Sequence, residues 1–73
     1  MNNEVQLDQL VTQLGQVNTS IERLENVDYM TAMYKGYSAA GETVDEIVGE
    51  IDDLREQASL IEAQINELED SLY

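Results

Sequence analysis

The chain has 73 residues, no Pro, Cys, His, Trp or Phe, and sixteen Asp+Glu against three Lys+Arg, a net charge of −13. Without Cys or His there can be no disulfide, thiolate or imidazole metal site, Ser-His triad or cysteine nucleophile. Three scattered cations, Arg23, Lys35 and Arg55, cannot neutralise a phosphate backbone or an anionic bilayer, so neither nucleic acid nor membrane is an expected partner.

The start, MNNEVQLDQL, has neither the cationic segment nor the apolar core of a signal peptide. No apolar run approaches the ~18 residues of a spanning helix. The expected location is the cytoplasm, or a particle assembled there. Hydrophobic residues make up 42% of the chain, and their periodicity argues against an acidic disordered chain.

In the first third, Leu7, Leu10, Leu14, Val17, Ile21 and Leu24 recur at alternating spacings of three and four, the a/d seam of an amphipathic helix. The seam breaks where position 28 is Asp28. A shifted seam through Val27, Met30 and Tyr34 is the expected continuation. Lys35 followed by Gly36 reads as a helix C-terminus, with a cation at the negative end of the dipole and a glycine free to turn left-handed.

Thr43 and Glu46 have the spacing of a capping box. Beyond them Val44, Ile47, Ile51, Leu54, Ala58, Ile61, Ile65, Leu68 and Leu72 form an unbroken second seam. The expected elements are a helix over 4–35, a loop over 36–42 and a helix over 43–72, one hairpin spanning 1–73.

Register supports the hairpin. Leu10 with Leu68, Val17 with Ile61 and Leu24 with Leu54 occupy positions that sum to 78, as do Val27 with Ile51 and Tyr34 with Val44. Leu7 with Leu72, Leu14 with Ile65 and Ile21 with Ala58 sum to 79. Half of 78 falls inside the loop that capping defines independently. Gly36, Gly41 and the seam break argue against the rival, one continuous helix in a parallel coil. The expected fold is therefore all-α: two long helices, each arm roughly 45 Å long at ~1.5 Å per residue, in an antiparallel, coiled-coil-like helical hairpin packed in a larger helical assembly. A core this small rarely supplies more than ~3–5 kcal/mol, which is why partners are expected.

Charge is uneven: residues 1–28 are net −4, residues 29–41 net +1 and residues 42–73 net −10. Glu67, Glu69 and Asp70 lie at the negative end of the second helix, where a hairpin brings Glu4 and Asp8 beside them; salt screens that repulsion. The composition, rich in Asp and Glu and with one Lys, resembles that of proteins from haloarchaea and their viruses. The resemblance implies folding at high salt and carries no family motif. Prefoldin-like chaperones also have paired helices, but these arms lack the intervening β-hairpin sequence and the chain is too short for that family.

Chemistry has few candidates. Glu46, Glu50 and Asp53 share a helical face with Asp52 and Glu56 beside them, conceivable for loose Ca²⁺ or Mg²⁺ binding but more simply a solvated face. No cofactor is expected. Paired carboxylates for acid–base work need a pocket, which a thin hairpin does not offer, so an enzyme is not expected. Asn18-Thr19-Ser20 matches a glycosylation acceptor but falls mid-helix.

The window 29–41 carries one charge, Lys35, beside Tyr29, Met30, Met33, Tyr34 and Tyr37. Tyr and Met are enriched, and charge depleted, at the centres of interfaces. The plain reading is that Met30 and Tyr34 close the seam. Met33 and Tyr37 fall off it, and with Tyr29 and Leu60 they are the candidate partner-binding residues. Val11 and Val48 also widen the apolar surface. The expected function is a structural or assembly subunit that oligomerises or braces a larger complex such as a virion, with a protein partner or copies of itself. The alternative is an acidic inhibitor or chaperone that presents Asp45, Glu46, Glu50, Asp52, Asp53 and Glu56 to a basic protein in place of nucleic acid.

Overall fold

Two caps define the hairpin. At the first, Gly36 adopts φ 93° and ψ −13°, and its N–H donates to the Ala32 carbonyl at 2.7 Å. This left-handed residue ends the first helix directly after Lys35, and a side chain at such a φ would be strained. At the second, the Thr43 Oγ1 accepts from the Glu46 N–H at 3.3 Å, and Glu46 Oε1 accepts from the Thr43 N–H at 3.3 Å. The reciprocal bonds are those of a capping box. In this computed structural model, which describes residues 3–72, the first helical arm comprises α1 (Asn3–Arg23), a π-helical turn (Leu24–Asp28) and α2 (Tyr29–Lys35); α3 (Val44–Leu72) forms the second. The side chain of Leu72, an expected partner of Leu7, lies outside the described residues.

The arms run antiparallel and pack along their length in a rod of 50 × 16 × 15 Å, the helical hairpin that the two seams imply. Leu10 and Leu68 line one groove near the open end, in agreement with the register. Ile21, Leu24, Ala32, Ile47 and Ile51 form the core near the closed end, with Val17, Tyr29, Val44 and Leu54 packed on them. Ala58 and Ile65 continue the buried line towards the open end.

The expected seam through Val27, Met30 and Tyr34 does not form. These side chains are 55%, 61% and 90% exposed, and neither Val27 nor Tyr34 takes its expected place against Ile51 or Val44. The π turn is the reason. The Tyr29 N–H bonds to the Leu24 carbonyl, five residues back, so this turn holds one residue more than an α-helical turn. A seam due at positions 28 and 31 arrives instead at Tyr29, half-buried, and Ala32, fully buried. Asp28, which an uninterrupted α-helix would have driven into the seam, remains half in water, where its charge costs little.

The loop is organised by a residue that the patterning did not single out. Ser38 is 2% exposed. Its N–H donates to the Glu42 carbonyl at 2.8 Å, its carbonyl accepts from the Gly41 N–H at 2.9 Å, and its Oγ accepts from the Glu42 N–H at 3.2 Å. Gly41, with φ 84°, supplies the second left-handed residue that the chain needs to return to Thr43.

Two expectations test this account of the seam. Deleting Asn26 takes the extra residue out of the π turn and restores a spacing of three and four through Tyr29 and Ala32, so the thermal midpoint should hold or rise. Deleting Thr19 from the middle of α1 rotates all preceding seam residues by about 100° and should abolish cooperative melting. Separately, Leu24→Ala should cost about 2–4 kcal/mol in denaturant unfolding, and Glu62→Ala, on the solvated face, less than about 0.5 kcal/mol.

Candidate functional site

With the seam displaced by the π turn, the outward side of the closed end carries Val27, Met30 and Tyr34, together with Met33 at 61% and Tyr37 at 57% exposure. Met30 and Tyr34 line a shallow groove with Thr31 and the Lys35 side chain. The Thr31 hydroxyl donates to the Val27 carbonyl of its own helix at 2.9 Å, so the groove presents little unsatisfied polarity. Lys35 is the one charged residue in 29–41.

The four candidate partner residues separate. Met33 and Tyr37 lie on this exposed tip. Tyr29 is half-buried against the hairpin core and lines a different groove, with Glu25, Val48, Ile51, Asp52 and Arg55. Leu60 is exposed but lies thirteen residues beyond Ile47 on α3, about 20 Å along the helix. Val27, Met30 and Tyr34 join Met33 and Tyr37 in their place. The signal that could have found them is Asp28: a carboxylate at a seam position requires a phase shift, and a shift of one residue forward turns all three outward.

The acidic candidates on α3, Asp45, Glu46, Glu50, Asp52, Asp53 and Glu56, are all exposed. Among the described residues no three His, Cys, Asp or Glu side chains are grouped to hold a metal ion. Arg55 reaches across to Glu25, Nη2 to Oε2 at 2.7 Å, with the two side chains 58% and 40% exposed. A pair this open to water contributes at most about 1 kcal/mol, so it trims the register and does not hold the hairpin together. Among the described residues no helix is long and apolar enough to cross a membrane.

Carboxylates crowd beside the loop. A hydrogen bond to the Glu50 carboxyl, partial removal from water and the charges of Glu50, Glu46 and Asp28 raise the Glu42 carboxyl above its ordinary 4.5. The folded chain therefore holds this proton more tightly than the unfolded chain does. The resulting stabilisation is complete below the ordinary value and is lost as pH rises through the raised one. Glu42→Gln should accordingly raise the thermal midpoint at pH 7 and shrink the rise that the native chain shows on acidification. Melting curves from neutral pH down through the ordinary carboxylate range check both. Helicity of the native chain should also increase from low salt to about 1 M, where the Debye length falls to ~3 Å, as followed by circular dichroism.

Comparison of the chain with protein-family models, with curated proteins and with solved structures found no match.

Proposed function

We propose that this chain is a non-enzymatic assembly subunit, a helical hairpin that braces or builds a larger complex by seating its tip on a protein partner. One observation carries the reading: four large side chains, Met30, Met33, Tyr34 and Tyr37, stand more than half exposed in a window whose one charge is Lys35, with Val27 exposed just before it. Grouped exposed apolar side chains mark interaction surfaces, and burying Tyr and Met is how interface centres gain affinity. The support beneath them is stiff, being tied by the Gly36 cap, the Ser38 bonds and the Thr43–Glu46 box, so docking orders little new backbone. A virion or other particle assembled in the cytoplasm, in a halophilic setting that screens the −13 charge, fits this reading.

A second reading has its own support. Six exposed carboxylates on the first half of α3 could occupy the nucleic-acid site of a basic protein. Salt separates the two, because charge mimicry weakens steeply as salt rises while apolar docking holds or strengthens. Co-purification at high salt followed by mass identification supplies the partner. Against that partner, Tyr37→Ala should weaken binding at least about tenfold with helicity and thermal midpoint unchanged. Tyr34→Ala should do likewise, since Tyr34 is 90% exposed. Charge reversal at Asp52 and Asp53 should matter far less. Binding that survives Tyr37→Ala and is lost on the reversal would establish the acidic mimic in place of tip docking.

A further inference from the structure

Charge and exposed apolar surface are divided between the two arms. Seven of the nine large hydrophobic side chains exposed among the described residues lie before residue 38, and α3 contributes Val48 and Leu60. α3 carries ten carboxylates and one arginine, whereas residues 9–21 of α1 contain no ionisable side chain at all. The face of α1 turned away from α3 runs through Val5, Asp8, Thr12, Thr19 and Arg23, all exposed.

We infer that a second copy of this chain packs antiparallel against this outer face of α1, with Asp8 of each copy meeting Arg23 of the other. Both ends of the neutral run bear on the direction. Positions 8 and 23 sum to 31, and so do positions 12 and 19. In an antiparallel pair at that register, Thr12 faces Thr19 of the second copy, and the Asp8–Arg23 pair forms twice. Shifted by one residue, Asp8 would face Glu22; in a parallel pair, Asp8 would face Asp8. Electrostatic complementarity thus selects both direction and register. Neither the Asp8 carboxylate nor the Arg23 guanidinium has an ion pair or side-chain hydrogen bond among the described residues, so both are available.

The surface between these charges suits a close approach. The Thr12 and Thr19 hydroxyls donate to the Asp8 and Gly15 carbonyls of their own helix, each at 2.9 Å, which satisfies the hydroxyls without a partner. A Cβ added at Gly15 would meet nothing within 4 Å. A mid-helix glycine weakens a helix, and within one chain this one relieves no crowding.

The identity of the partner follows from where the charge goes. In the order α3–α1–α1–α3 the two acidic helices are three helix spacings apart, roughly 25–30 Å at ~8–10 Å each, several Debye lengths at ~0.15 M salt. Pairing through α3 would instead set two helices of ten carboxylates each side by side. α1 is about 31 Å long at ~1.5 Å per residue. One helix face of that length lies at the small end of specific interfaces, below about 1,200 Å² in total, so the proposed dimer is weak and reversible.

Sedimentation equilibrium of the full chain at ~0.15 M salt, over a concentration series from low to several hundred micromolar, tests this. The native chain should move from its 8.2 kDa mass towards twice that value. Asp8→Arg and Arg23→Asp should each weaken association at least about tenfold. The double variant restores both pairs with their signs reversed and should return to within about threefold of the native chain. Circular dichroism should show the same helicity in all four proteins. Combined Thr12→Cys and Thr19→Cys should give a disulfide-linked dimer on mild oxidation, since two residues two turns apart on one helix cannot bridge to each other. A chain that stays at 8.2 kDa throughout, or a double variant no better than the single ones, overturns the inference. The outcome is separable from tip docking: Tyr37→Ala should leave self-association unchanged, and a dimer that requires Tyr37 places the interface elsewhere.

Discussion

Two helices in a hairpin share one interface, and every buried side chain must come from a single stripe on each. Phase along that stripe is therefore the condition on which the molecule depends. α3 meets it without interruption for its 29 residues. The first arm meets it as far as Leu24 and would then present Asp28, a carboxylate whose burial without a partner is costly. The five-residue turn Leu24–Asp28 absorbs one position, so Tyr29 and Ala32 reach the stripe in its place. Ala32 is then fully buried in the same core as Ile47, three residues into α3, and packing continues up to the cap.

The same turn determines what the tip shows to solvent. By advancing the stripe by one residue it rotates Val27, Met30 and Tyr34 outward, where a regular helix would have left one or more of them beside α3. Core continuity and the outward turn of Val27 and Tyr34 thus have one cause, whereas Met33 and Tyr37 lie off the seam in either phase. π turns inside α-helices are often found at functional sites, and here the link is geometric: the insertion that rescues the core also enlarges the surface. The loop beyond it is held by backbone bonds around Ser38 and by the two left-handed glycines, so the surface stands on a fixed support.

The legible features were those with a local or periodic signal. Alternating spacings revealed both helices, their pairing and the hairpin. Lys35-Gly36 and Thr43–Glu46 carried their capping chemistry in the residue types, and the bonds they form are the expected ones. Asp28 disclosed that the stripe was interrupted but not the direction in which it resumed. Val27, Met30 and Tyr34 offer more apolar area than Tyr29 and Ala32, and area favours burial. That preference fails because the π turn brings Tyr29 and Ala32 to Ile47 and Ile51 of α3 instead, a tertiary fact absent from the local sequence. Ser38 was illegible for a similar reason: its burial follows from how the eight-residue connection between Lys35 and Val44 folds back on itself. At the tip, Met33 and Tyr37 were readable as residues off the stripe, whereas the exposure of Tyr34 depended on the π turn.

Division of labour between the arms follows from the thinness of the fold. Each helix of a two-helix rod turns most of its circumference to water, so a 73-residue chain at −13 has to choose where its charge resides. Spreading it evenly would make every face repel every other molecule of its kind. Concentrating it on α3 leaves α1 at net −2 and the 29–41 tip at +1, with Glu4 and Asp8 near one end of α1, Glu22 and Arg23 at the other and Lys35 at the tip. The acidic arm then stays hydrated, and the less charged arm and tip are the surfaces that the proposed contacts use. For the proposed contacts, rising ionic strength screens the carboxylate repulsion and, with structure-making salts, strengthens apolar docking of the tip, while it weakens the Asp8–Arg23 pairs. A hairpin built in this way is a rod whose two arms differ in charge, and salt therefore acts in opposite senses on the two contacts proposed for it.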